Sequence, residues 1–255
     1  MSDTPSNGNR RKTPAENAEQ RITGRAQRKL AKEQEARRTR VYTILAALGA
    51  VLVVVVLLFV FARQGEAGPP VATAPALAET IPVDGRTMGD PNAPVKVLEY
   101  GDYQCPGCGN FNKKVKPDLI KDYVETGKVF FEFRDYAFIG AESKLAAEAA
   151  VCAADQNKFW AFHDTVFANQ GHENAGSLSA DRLRTMAETI GLDMAAYDAC
   201  LKTDKPTETV ANFMAEARAK GVDSTPSVFV NDTKIPWTGY EGLKEAIDKA
   251  LAEQS

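Results

Sequence analysis

Histidine is scarce in this 255-residue chain: His163 and His172 are the only two. Their spacing does not fit the H-x3-5-H metal pattern, and the chain has only four cysteines. Cys105 and Cys108 form one C-x2-C pair, and there is no second. A closed zinc site built on that pair would lack two of its four ligands. Net charge is small as well, −3 from 31 Lys and Arg against 34 Asp and Glu. That balance excludes a chain basic throughout, as a dedicated nucleic-acid binder would be. No internal repeat is visible, which excludes a solenoid or propeller. His163 sits in an aromatic stretch (Phe159 to Phe167), where a packed, hydrogen-bonded ring is the ordinary reading; neither histidine is assigned a role.

The small net charge hides an asymmetry. Residues 1–40 hold 11 Lys and Arg against 5 Asp and Glu, leaving 20 against 29 for the rest. The first 40 residues are polar and basic and read as a disordered tail. A nucleic-acid arm would fit the charge, but the next segment offers a simpler account. Val41 to Ala62 is 22 residues without a charge. At 1.5 Å per residue it reaches roughly 33 Å, enough to cross a hydrocarbon core. Arg37, Arg38 and Arg40 precede it and only Arg63 follows closely. That bias predicts a cytoplasmic N-terminus and an exported remainder. A cleaved signal peptide is the alternative, but it calls for a shorter apolar region and a small-x-small site close behind. Ala72-Thr-Ala74 and Ala76-Leu-Ala78 lie ten or more residues beyond the span. Residues 63–81, rich in Ala, Pro and Gly, read as a linker.

Residues 82–255 have the composition of one globular domain. Val95–Tyr100 reads as a buried strand, followed directly by Cys105-Pro-Gly-Cys108. A helix is expected from Pro106 to Thr126, kinked or broken at Pro117 and stopped at Gly127. Val129–Phe133 reads as a second strand. A helical region follows, with Leu145, Ala149 and Cys152 on one apolar stripe. Leu183, Met186, Ala187 and Ile190 form another; Met194, Tyr197 and Leu201 mark a short helix that carries Cys200. Ser227–Val230 reads as a third strand, Asn231-Asp232 as a hairpin turn, and Lys234–Thr238 as an edge strand, because Pro236 cannot sit in a sheet interior. An amphipathic helix through Leu243, Ile247 and Leu251 closes an α/β order β-α-β, helices, β-β-α.

Cys105 and Cys108 are three positions apart, so on a helix they share one face and can close a small disulfide ring. Pro106 suits the first helical turn, and the helix start directs free N–H groups and partial positive charge at Cys105. Thiolate is the attacking species in disulfide exchange. The pattern thus points to Cys105 as nucleophile and Cys108 as resolving thiol, with metal binding or a purely structural pair as alternatives.

Several motifs occur together and in order: Leu98-Glu-Tyr-Gly-Asp-Tyr-Gln-Cys-Pro-Gly-Cys108, Phe133-Arg-Asp-Tyr136, Cys152-Ala-Ala-Asp-Gln-Asn-Lys-Phe-Trp160 and Gly221-Val-Asp-Ser-Thr-Pro-Ser227. With them the chain resembles the DsbA family of exported thiol–disulfide oxidoreductases, in its membrane-anchored, BdbD-like branch, over about residues 82–253. The resemblance implies a thioredoxin-like fold with a helical insertion at about 140–205. It implies that Pro226 is a cis-proline opposite the dithiol, and that Thr225, with Pro106 and Gly107, meets the substrate peptide; an ordinary Thr-Pro turn is the alternative. It implies that Glu99 is a buried acid beneath the site, able to relay the proton of Cys108; the alternative puts Glu99 on an exposed strand face. For Cys152 and Cys200 an oxidising compartment favours a structural disulfide, as some relatives have in this insertion, over two buried thiols.

The activity implied is introduction of disulfides into unfolded, reduced exported proteins. A membrane partner of the DsbB or VKOR type would reoxidise the pair, with no cofactor, metal or nucleic acid. One departure bears on direction: many strongly oxidising relatives carry His where this chain has Gly107, so a weaker oxidant is expected. A reductase or isomerase using the same pair remains the alternative. A third reading, of another class, is a thiol metallochaperone or peptide-holding chaperone.

Overall fold

The computed structural model describes residues 32, 37–58, 69–75 and 80–254. Nearly all of the basic tail, residues 59–62 of the expected span, and linker residues 63–68 and 76–79 lie outside the described residues. The chain divides into two units, Met1–Gly68 and Pro69–Ser255. In the first, helix α1 (Arg37–Leu58) has 22 residues and a mean hydropathy of 2.9, long and apolar enough to cross a membrane. It begins before Val41 because the arginine-rich approach contains no helix breaker.

The second unit is built on a six-stranded sheet in the order β1-β2-β4-β3-β5-β6. The strands are β1 (Val83–Asp84), β2 (Thr87–Met88), β3 (Val95–Gly101), β4 (Val129–Asp135), β5 (Ser227–Val230) and β6 (Thr233–Lys234). At its centre β3 and β4 run parallel, and β5 pairs with β3 antiparallel. Val95, Val97 and Glu99 of β3 register with Val129, Phe131 and Phe133 of β4. The apolar members of that face join both C-x2-C cysteines in the main core. Tyr100 and Phe229 pack on the other side, with Ala217 and Val222. The β1–β2 hairpin was not legible in the sequence: two-residue strands are too short for an alternating pattern. Gly85, at φ +52°, makes its turn, and Met88, fully buried, seats it on Phe131. At the opposite edge Asn231 and Asp232 both take positive φ, as the expected hairpin requires. The edge strand expected over Lys234–Thr238 is corrected to Thr233–Lys234: Pro236, which has no N–H to give a ladder, lies just past its end.

Between β3 and β4 the chain is helical throughout Pro106–Val124, and Pro117 does not break it. Short α-helices α2 (Pro106–Asn110) and α3 (Lys116–Leu119) alternate with π-helical turns at Phe111–Val115 and Ile120–Val124. The Lys116 N–H bonds to Phe111 O, five residues back. This wider register just ahead of Pro117 accommodates the proline ring inside a continuous helix. Gly127, at φ +71°, lies just beyond its end.

Four helices fill the insertion: α4 (Ala141–Ala154), α5 (Phe159–Ala168), α6 (Ala180–Thr189) and α7 (Met194–Cys200). Helix α8 (Lys205–Ala219) then leads back to β5, and α9 (Tyr240–Ala252) closes the chain. The expected stripe on α4 is corrected at Leu145, which is 38% exposed. Alanines 146, 147, 149, 150 and 153 carry the buried arc. Their small side chains let neighbouring helices approach closely and leave Leu145 on the outside. Leu201 is likewise 41% exposed, just past the end of α7. Cys152 is bonded to Cys200 (S–S 2.06 Å), tying α4 to α7 across 48 residues. Closing a loop of that length contributes about 4 kcal/mol in the chain-entropy account.

The described part of the expected linker is not free. Val71 packs against the core. The Ala72 N–H donates to Asn169 Oδ1 at 3.0 Å, and Asn169 Nδ2 donates to the Ala72 carbonyl at 2.7 Å. Arg182 Nη1 donates to the Pro69 carbonyl. The free tether expected from composition is therefore tied to the helical insertion at 69–75.

Candidate active site

The end of β3 delivers the chain into a turn in which the Cys105 N–H donates to the Asp102 carbonyl at 3.0 Å. Cys105 is the extended N-cap residue of α2 (φ −70°, ψ 119°), with Pro106 in the first turn. Gly109 N–H bonds back to Cys105 O at 3.0 Å, which starts the helix. Helix geometry then separates the two thiols. Cys105 keeps 8% of its surface at the rim, whereas Cys108, one turn on, is fully buried on the sheet. Both are free thiols in this structure.

The Thr225–Pro226 bond is cis, as the resemblance implies. It lies against the dithiol: Cys105 Sγ donates to the Thr225 carbonyl at 3.2 Å. A Cβ built on Gly107 would stand 3.0 Å from Pro226 Cδ and 3.5 Å from Cys105 Sγ. The absence of a side chain at 107 thus eases the close seating of α2 on the cis-proline loop, where a Cβ would require Pro226 to give by a few tenths of an ångström. Pro106 is exposed and Gly107 half-buried, so both border the surface from which Cys105 is reached.

The two sulfurs are held in opposite acid–base states. The hydrogen bond from Cys108 and the backbone amides of Gly107 and Cys108 pull Cys105 down to about 6, against the effect of its burial. The Thr225 carbonyl favours the neutral thiol; ionisation removes that bond and keeps the donors. Burial first, then the Cys105 hydrogen bond and the Glu99 charge, push Cys108 well above the ordinary thiol value. Glu99 lies on the buried face of β3 and is only 2% exposed, so the exposed-face alternative is excluded. Burial pushes its carboxyl well up, and Lys116 opposes this.

Two arrangements could not be read from the sequence. The first is a buried charge cluster. Lys116, 4% exposed, donates to Asp164 Oδ1, and the same oxygen meets His163 Nδ1 at 2.8 Å. Burial pushes Asp164 up, but Lys116 and His163 together hold it at about 2. Burial keeps His163 neutral by lowering it to about 4, among the rings of Tyr103, Phe133 and Phe159. His163 is therefore the packed histidine expected. A lysine within a Lys-Lys-Val-Lys run reads as solvated, and only its place on the helix face reveals otherwise. The second is the contact from Gln170 Nε2 to the carbonyls of Tyr103 (2.8 Å) and Cys105 (2.9 Å), which fixes the loop from the insertion side. Among the described residues no His, Cys, Asp and Glu cluster could hold a metal ion.

Because the folded Cys105 pKa lies below its ordinary value of 9.0, its thiolate stabilises the reduced protein. That contribution is fully present above pH 9 and is lost as pH falls through about 6. Iodoacetamide alkylation of Cys105 in the reduced chain is expected to follow a titration centred near pH 6. A midpoint near the ordinary thiol value of 9.0 would contradict the geometry.

The family described as Thioredoxin matches residues 82–249. The chain is 32% identical over 177 residues to disulfide bond formation protein D of Bacillus subtilis, covering 64% of this chain and 76% of that one. It is 33% identical over 179 residues to a putative protein-disulfide oxidoreductase of Rickettsia felis, covering 69% and 64%. Among solved structures, oxidised BdbD from Bacillus subtilis superposes with a TM-score of 0.62 at 28% identity, over 70% of this chain and all of that one. Wolbachia pipientis alpha-DsbA1, at 23% identity and a TM-score of 0.59 over 68% of this chain and 94% of that one, shares the fold. With its C-x2-C pair at a helix start, facing a cis-proline, the chain belongs to the thioredoxin-like family as a thiol–disulfide oxidoreductase of the DsbA type.

Proposed function

We propose that this oxidoreductase is anchored in a membrane by α1, faces the exocytoplasmic side, and introduces disulfides into reduced exported proteins. The observation that carries this reading is the opposed state of the two thiols. Cys105 lies at the rim with a lowered pKa, and Cys108 is buried with a raised one. A disulfide whose reduced form is stabilised as a thiolate gives up its bond readily to a substrate. Cys105 lies low without a histidine at position 107, through donors from Cys108 and the α2 amides. This weakens the argument for a reductase that the bare Pro-Gly dipeptide provides.

In this reading a substrate thiolate attacks Cys105 Sγ, the Cys105–Cys108 bond breaks, and Cys108 leaves as a thiolate. Glu99, held protonated by burial, supplies the proton to that sulfur. The second substrate thiol displaces Cys105 and leaves the substrate oxidised by two electrons and the dithiol reduced. The Thr225 backbone next to the cis bond pairs with the extended substrate, with Pro106 and Gly107 bordering it. A membrane redox partner then restores the disulfide. The arginines at 37, 38 and 40, against Arg63 alone, support a cytoplasmic N-terminus. The Cys152–Cys200 disulfide supports an oxidising compartment for the domain.

In the full chain Cys108→Ser cannot hold the Cys105–Cys108 disulfide, so it is read in the reverse direction: its Cys105 thiolate attacks a disulfide of an exported protein, one substrate thiolate leaves, and no Cys108 is present to free Cys105 again. Expressed in its own membrane, the variant is expected to accumulate mixed disulfides through Cys105 with exported, cysteine-bearing proteins. Adducts confined to cytoplasmic proteins, or none at all, would sink the proposal. Glu99→Gln is expected to slow opening of the Cys105–Cys108 disulfide by dithiothreitol, roughly tenfold or more, as loss of a general acid does. An opening rate and pH profile matching the unsubstituted chain would remove Glu99 from the mechanism.

A further inference from the structure

Asp102 is 1% exposed and does not react, yet its carboxylate accepts four hydrogen bonds. Oδ1 takes the Gln104 N–H at 2.8 Å and the Ser143 hydroxyl at 2.6 Å. Oδ2 takes the N–H groups of Phe138 and Ile139, at 2.9 and 3.1 Å. Three separate pieces of chain therefore converge on one side chain: the turn before α2, the loop after β4 and the first turn of α4. Meanwhile the Asp102 backbone N–H points the other way and donates to Cys108 Sγ at 3.5 Å. It is the backbone donor that meets the buried sulfur from outside the C-x2-C turn. Ser143 is itself fixed, because its oxygen accepts from Gln104 Nε2 at 2.9 Å. The Phe138 side chain, whose backbone is held by the same carboxylate, is 48% exposed.

We infer that Asp102 is the positioning residue for departure of the Cys108 sulfur. Its carboxylate locks the turn so that its own N–H stays on Cys108 Sγ while that sulfur leaves as a thiolate. This rests on the roles proposed above for the two cysteines. As the substrate thiolate bonds to Cys105 Sγ, the Cys105–Cys108 bond breaks and its electron pair passes to Cys108 Sγ. A hydrogen bond from a fixed N–H strengthens as that charge develops. An N–H held by a loose turn would have to be reoriented during the step.

Asp102→Asn preserves shape but sets an NH2 group against N–H donors, so at least one side of the network fails. Two rates in the full chain, in detergent at pH 9, separate positioning from general damage. One is opening of the disulfide by dithiothreitol, in which Cys108 leaves. The other is alkylation of Cys105 in the reduced chain, in which Cys108 is not a leaving group and, at pH 9, Cys105 is already ionised. Opening is expected to slow about tenfold, the weight of one hydrogen bond to a charged group. Alkylation is expected to stay within about twofold. Equal slowing of both rates, or no slowing of either, would overturn the inference. Should Asp102→Asn fail to fold, Ser143→Ala removes one of the four donors to Asp102, leaves Gln104 Nε2 its bond to Asn174 Oδ1, and is read by the same ratio. A drop of at least about twofold in opening relative to alkylation supports the positioning role, and an unchanged ratio overturns it. A parent chain with no Cys105–Cys108 disulfide to open would overturn the reading of the pair, and this inference with it.

Discussion

The site depends on one close approach: the first turn of α2 seated on the cis Thr225–Pro226 loop, with Gly107 as the point of contact. Because the helix starts there, Cys105 meets free amides at the rim, and Cys108 is turned inward onto the sheet. Because the loop is cis, the Thr225 carbonyl faces Cys105 Sγ. The difference between the thiols follows from these placements. One is ringed by donors, and the other is deprived of water beside a buried acid.

Buried charge is the second theme. Glu99, Asp102, Lys116, Asp135 and Asp164 are all below 9% exposure. Charges so placed are costly unless paired or hydrogen-bonded. Arg86, from the β1–β2 hairpin, reaches Asp135 at 2.6 Å and lies 4.5 Å from the Phe159 ring centroid. Lys116 pairs with Asp164. Asp102 is satisfied by four donors, whereas burial pushes the Glu99 carboxyl well up. These are three different solutions to buried charge around one dithiol.

The dithiol was legible because helix-start chemistry is local: Cys, Pro, Gly and Cys within four positions carry it. The cis-proline and the buried acid came from resemblance, since neither a peptide isomer nor the face of a strand is written in neighbouring residues. Register across β3, β4 and β5 settles the face of Glu99. Asp102 was invisible for the same reason, because its partners lie up to 41 positions away. The β1–β2 hairpin, the π-helical passage around Pro117 and the tethered segment 69–75 also depend on tertiary packing. Leu145 shows the reverse case: its local periodicity points inward, but the packing of the α4 alanines decides the buried face.

The most direct test of the central claim, that the Cys105–Cys108 pair is poised to donate its disulfide, is the equilibrium reduction potential of the full chain in glutathione buffers. Cys105→Ser serves as the control that isolates this pair from Cys152–Cys200. A thiolate-stabilised reduced form predicts a value above about −200 mV, on the oxidising side of glutaredoxins. A value near −270 mV, in the thioredoxin range, would contradict the account and make the protein a reductant.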